Sequence, residues 1–267
     1  MSYFYNLKMV SSGHRLEIYK YSIAQEIGRH SNNHTGRRGK GITNKEKNRR
    51  EVLNRARNSI IRLVNSNSDM TTFITLTYAA NMKNLTISKD HIKKFTKDIR
   101  KDYDNFKYLY VLEFQQRGAI HYHMICNIPI DIETAKTHEY KPQAQKDLEN
   151  HFRVKYWPYG FVDIRNLREE GNTNIGLYVS VYLVEDLYKL DLQGSKCYGY
   201  SRNLLRPKEE TMMVHVSNID IIKDFAPYYD ISYISNYNMV VDYGNEIKYG
   251  NVDYFDMWER GNRNVNK

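Results

Sequence analysis

Residues 107–128 constrain the fold more than any other stretch of this chain. Two runs dense in β-formers, Lys107–Gln115 and Ala119–Ile128, are separated by Gln116-Arg117-Gly118. Gly118 suits the left-handed residue of a three-residue hairpin loop. The prediction is two antiparallel strands. Strand side chains alternate between faces, so His121 and His123 point one way and Tyr122 the other. With a three-residue loop, Glu113 falls opposite His121 at a Cβ separation of about 5 Å. A two-residue loop would set Glu113 opposite Tyr122 instead. One carboxylate beside two imidazoles suits an open site for Mg²⁺ or Mn²⁺, completed by water or phosphate. Glu113, His121 and His123 are therefore the candidate metal ligands. The plain alternative is two half-buried histidines and a surface Glu on an edge strand.

Charge is distributed unevenly. Residues 1–60 hold 13 Lys and Arg against 4 Asp and Glu, a net of +9, which is the formal excess of the whole chain. A basic segment on a neutral body is the footprint of a polyanion partner. Arg37, Arg38, Lys40, Arg49 and Arg50 are candidate DNA-phosphate contacts. No apolar run approaches the roughly 20 residues of a membrane span. The first residues lack the charged-then-apolar pattern of a signal peptide. With two cysteines, Cys126 and Cys197, neither a disulfide framework nor a Cys-rich zinc site is expected. Cys126 reads as packed in its strand, and a reducing cytoplasm of a host cell is the expected location.

The remaining elements follow from local patterning. Residues 3–10 and 14–22 flank Ser11-Ser12-Gly13-His14 and predict a hairpin. Residues 29–43 read as a basic loop. A helix is expected from Thr43 or Asn44 to about Val64, a strand over Thr72–Tyr78, and a helix from Ser88 to about Tyr103. A further helix over about 141–157, a short strand over Tyr159–Ile164, and a helix from about 174 to 190 follow. Gly194–Arg206 reads as a polar, basic connection, and residues 218–267 as Tyr-rich, strand-like chain. The order predicts an α+β fold, an antiparallel sheet with helices packed on one face and the other face open to a ligand. An N-terminal hairpin and a C-terminal strand-rich extension would be added to it. The divisions expected are 1–65, 66–210 and 211–267.

Tyr178 and Tyr182 lie four apart in the helix expected over 174–190, so both hydroxyls share one face. A phenol is a workable nucleophile toward a phosphodiester when a cation polarises the phosphate. In a chain with 24 Tyr, packing is the bland reading of such a pair.

Together these residues resemble the HUH endonucleases, specifically the rolling-circle replication initiators of small plasmids and single-stranded DNA phages. Phe73-Ile-Thr-Leu-Thr-Tyr78 looks like the family's first motif, His121-Tyr-His123 like the second, and Tyr178-Val-Ser-Val-Tyr182 like the third. Glu113 lies where the family often has an acidic ligand. Trp157-Pro-Tyr-Gly160-Phe-Val-Asp-Ile and Lys196-Cys-Tyr-Gly-Tyr-Ser201-Arg202 are lesser likenesses. The resemblance covers roughly residues 45–210. It implies a ferredoxin- or RRM-like core that nicks and joins single-stranded or hairpin origin DNA through a 5′-phosphotyrosine. Tyr178 would be the first nucleophile and Tyr182 the second. The implied cofactor is Mg²⁺ or Mn²⁺, with no other small molecule. The implied partners are the origin DNA and a host helicase and polymerase.

One departure stands out. Where the family commonly has a Lys three residues after the first Tyr, this chain has Val181. Lys189 or Lys196 would have to substitute, and Arg202 is a further candidate DNA contact. No Gly-x-x-x-x-Gly-Lys-[Ser/Thr] loop is present, so no attached helicase is expected. A relaxase or transposase would use the same chemistry. A non-catalytic module, such as a copy-number repressor or an RNA binder, would fit the basic segment and the aromatics equally well.

Overall fold

The computed structural model describes residues 3–27, 45–115, 118–136, 139–167, 175–181, 197–242 and 246–261. In chain order the elements begin with β1 (Phe4–Ser12), β2 (Arg15–Glu26), α1 (Lys45–Asn65), β3 (Thr72–Tyr78) and α2 (Leu85–Ile99). Next come β4 (Tyr108–Phe114), β5 (Ile120–Cys126), α3 (Gln143–Lys155), β6 (Gly160–Asn166) and α4 (Ile175–Ser180). The last are β7 (Tyr198–Tyr200), β8 (Lys208–Met212), α5 (Asn218–Phe225), β9 (Tyr229–Asp242) and β10 (Ile247–Glu259). The α+β class with antiparallel sheets is the one expected. No helix among the described residues is long and apolar enough to cross a membrane.

By contact the chain divides into two compact units, residues 1–44 with 206–267, and residues 45–205. Sequence patterning groups α1 with the N-terminal hairpin. The apolar stripe of α1 instead packs in the second unit, where Ile60, Leu63 and Val64 are buried against Phe73, Leu109 and Ile125 of the sheet. Patterning also keeps the hairpin apart from the C-terminal extension. The hairpin strands pair with β8 and β10, partners over 190 residues away that local patterning does not reveal.

The sheet of the 45–205 unit runs β6-β3-β5-β4-β7, every pair antiparallel. β7 lies inside the segment read as a connection. It is three residues long, and its Gly199 lets the Tyr110 ring pass where a Cβ would lie 2.6 Å away. Helices cover both faces of this sheet. On one side α2 and α3 bury Phe95, Ile99 and Phe152 against Leu76, Tyr122 and Met124. On the other, expected to be open, α1 and α4 cover Phe73, Leu109, Val111 and Ile125. Helix α2 starts earlier than read because the Asn84 side chain accepts hydrogen bonds from the backbone N–H groups of Thr86 and Ile87, a standard N-cap. After α3, Trp157 turns back into the core, and its Nε1 donates to the Thr77 carbonyl at 3.1 Å. At Gly160 a Cβ would lie 2.0 Å from that same carbonyl oxygen, so β6 can pair with β3 there because residue 160 has no side chain.

The sheet of the other unit runs β8-β1-β2-β10-β9. One face packs on α5 through Leu16, Ile18, Phe255 and Met257. Sequence reading misses α5. Its signal is Ser217-Asn-Ile-Asp220, which closes a reciprocal capping box at the helix start.

Candidate active site

The hairpin takes the three-residue register. Gly118 is left-handed at φ 80°, and β4 pairs with β5 so that Glu113 lies opposite His121 and Val111 opposite His123. On the far side of β5, Thr77 lies opposite His121 and Thr75 opposite His123. Both histidines are 6% exposed, and they share the sheet face that α1 and α4 cover. Tyr122 points to the opposite face, where its hydroxyl meets Ser88 Oγ at 2.6 Å and burial pushes its pKa well up. Cys126, fully buried, is likewise raised to about 12 by desolvation, which makes it an inert packed thiol.

The polar groups on the site face are bonded to one another. His123 Nε2 and Glu113 Oε2 are 2.5 Å apart. His123 Nδ1 lies 3.2 Å from Thr75 Oγ1. Both nitrogens of this ring are therefore engaged, and Thr75 fixes the ring from behind. An oriented imidazole with its second nitrogen held is the usual support of a metal-ligating His. Thr75 escapes the sequence reading as a site residue; the signal is its place opposite His123 once the β3–β5 register is known. Beyond Thr75, Asp163 of β6 sits opposite it. That carboxylate is bound to Arg165 Nε at 2.9 Å and Lys141 Nζ at 2.5 Å. Burial alone would raise Asp163, but the two cations outweigh it and hold its pKa below the ordinary value.

The tyrosine helix reaches this face through one aromatic contact. Phe73 of β3 stacks on the His123 ring at 5.8 Å and 13°, and the Tyr178 ring meets Phe73 edge-on at 5.3 Å. Helix α4 is held close to α1 by Gly176, where a Cβ would lie 2.7 Å from the Ile61 carbonyl oxygen. Tyr178 is half-buried, and Val181, at the position of the family's Lys, is 46% exposed.

Tyr178, Phe73, His123 and Glu113 thus form a continuous line of contacts. Residues 71–187 match the family model of the replication-associated protein ORF2. The match supports a replication-initiator role, and it spans every member of this line, β3 through α4. No curated protein and no solved structure matches the chain.

Among the described residues, no three His, Cys, Asp or Glu side chains are gathered closely enough to hold one metal ion. The donor set at Glu113, His121 and His123 fits a divalent cation in kind, and the register sets the three on adjacent strands of one face. Glu113 must leave its hydrogen bond with His123 to act as a ligand. Tyr182, Arg37, Arg38, Lys40, Lys189 and Lys196 lie outside the described residues, as do the side chains of Arg49 and Arg50 in α1. Arg202 is exposed on the turn after β7.

Proposed function

We propose that this chain initiates replication by nicking and rejoining one DNA strand at an origin. The observation that carries the reading is the contact line from Tyr178 through Phe73 to the Glu113–His123 pair, which joins the three motif segments on one sheet face. In this reading the Tyr178 phenol attacks the scissile phosphorus, its O–H proton passing to solvent or a nearby base. A phosphotyrosine bond to the 5′ side forms as the bond to the 3′ oxygen breaks, leaving a free 3′-hydroxyl that can prime a polymerase. Tyr182, or a returning 3′-hydroxyl, reverses the link and closes the strand. Glu113, His121 and His123 would hold Mg²⁺ or Mn²⁺, which supplies polarisation of the phosphate and charge neutralisation. Thr75 holds the His123 ring in orientation, and Phe73 sets the distance of the tyrosine from it. The basic N-terminal residues would neutralise the DNA backbone, giving an affinity that falls steeply with salt.

The test is incubation of the chain with single-stranded origin oligonucleotide and Mn²⁺, followed by denaturing electrophoresis. A covalent protein–DNA adduct is expected, and Tyr178→Phe should reduce it by at least about a thousandfold. An adduct that survives in Tyr178→Phe would move the nucleophile elsewhere.

A second reading is favoured by one observation, the closed Glu113–His123 hydrogen bond. A non-catalytic DNA- or RNA-binding module would keep that pair as a structural contact. It would bind the oligonucleotide with no cleavage in either Mg²⁺ or Mn²⁺.

A further inference from the structure

At the far end of β4 from the histidines, a pocket of about 600 Å³ opens between the turn after α2 and the turn after β7. Glu113 and Tyr108 lie five residues apart on β4, about 17 Å at a strand's rise. The pocket's walls combine Tyr103, Tyr108 and Tyr200 with two guanidinium groups, Arg100 and Arg202, and one carboxylate, Asp104. Arg100 lies over the Tyr108 ring at 5.4 Å. Among the described residues, neither Arg100 nor Arg202 makes an ion pair, although Asp104 lines the same pocket.

Both walls are fixed by side-chain amides. Asn105 is left-handed at φ 53°, a conformation Asn tolerates. Its carbonyl accepts from Asn127 Nδ2 and Asn203 Nδ2, each at 3.3 Å. The opposite turn is held by Asn67, whose amide donates to the Leu205 carbonyl and accepts from the Leu205 N–H, both at 3.0 Å. A pocket built this way loses little entropy when a ligand enters.

We infer that this pocket binds one nucleotide of a single DNA strand, its base stacked among the tyrosines and its phosphates held by Arg100 and Arg202. The volume lies in the range of small-molecule sites. Aromatic faces with flanking arginines are the chemistry of sequence-tolerant single-strand binding, and guanidinium matches phosphate in geometry and charge. Asp104 accepts hydrogen bonds and donates none when ionised, so it favours a base with an amino group, which thymine lacks. The inference rests on reading the chain as a protein that handles a DNA strand, though not on the nicking step. It gives that strand a second anchor, remote from the histidines.

The experiment measures binding of the full chain to a fluorescent mixed-sequence 12-mer by anisotropy, without metal. Competitors are dGMP, dTMP and 2-deoxyribose 5-phosphate. We expect dGMP to compete at least about tenfold better than the baseless sugar phosphate, and better than dTMP. The exposed double substitution Arg100→Ala/Arg202→Ala should weaken 12-mer binding about tenfold, with an unchanged circular dichroism melt. Sugar phosphate competing as well as dGMP would overturn the proposal, as would a double variant that binds the 12-mer as tightly as the parent. The nicking reading fails separately: a parent chain that forms no adduct in Mn²⁺ leaves this metal-free binding as it is.

Discussion

The two five-stranded sheets bury carboxylates in different company. In the sheet of the unit formed by residues 1–44 and 206–267, Glu17 is 2% exposed. Its oxygens accept from Tyr19 and Tyr254 hydroxyls at 3.0 and 3.1 Å, with the Arg15 guanidinium 3.6 Å away. Arg15 in turn grips Asp256 at 2.8 and 3.1 Å. Burial, with Glu17 beside it, drives the Tyr254 phenol far above its usual range, so that hydroxyl stays a donor. This network is closed: a permanent cation and two fixed donors satisfy it. In the 45–205 sheet the half-buried Glu113 faces an imidazole. An imidazole releases its proton near neutral pH and then offers a lone pair to a cation. The first arrangement suits a fixed strut, and the second suits a group that must exchange partners.

That contrast can be broken experimentally. Glu17→Gln should cost about 3 kcal/mol of stability, because it leaves Arg15 with half its neutralisation in a buried place. Urea unfolding measures it, and a loss under about 1 kcal/mol would erase the distinction. Glu113→Ala should lower Mn²⁺-dependent cleavage by about a hundredfold, an effect near about 2.7 kcal/mol, while moving the urea midpoint little. A large stability loss with cleavage retained would make Glu113 the strut. Gly176→Ala pushes α4 off α1 and should cost about 2 kcal/mol. It should also slow adduct formation, since Tyr178 moves with the helix; thermal melts and adduct kinetics read the two effects together.

The smallest effect concerns Asp163. Its folded pKa lies below the ordinary 3.8, so its contribution is present above that value and is lost as pH falls through the folded value. Asp163→Asn should cost under about 1 kcal/mol at pH 7 and flatten the acid limb of stability below about pH 4. Urea midpoints taken across that range would show it.

What was legible in the sequence was local. The alternation of Thr72–Tyr78 and the Gly118 loop defined β3, β4 and β5, and with them the face shared by Glu113, His121 and His123. Phe73 and Thr75 became site residues once the β3–β5 register was known, and that pairing joins Thr75 to His123 across 48 positions of chain. The partners of the N-terminal hairpin were further out of reach, since β2 pairs with β10 across more than 220 residues and no local signal encodes that choice. Helix α5 was hidden by a Tyr-rich neighbourhood that reads as strand, with its capping box the one cue. The closing of the second sheet face by α1 depended on which sheet that amphipathic helix would choose.

Gly160 has a consequence for variation in this chain. The Thr77 oxygen occupies the space any side chain there would need, and Trp157 holds that oxygen in place. A saturation library at position 160, selected for folded protein, should return a single codon family, while neighbouring Phe161, 60% exposed, should return many.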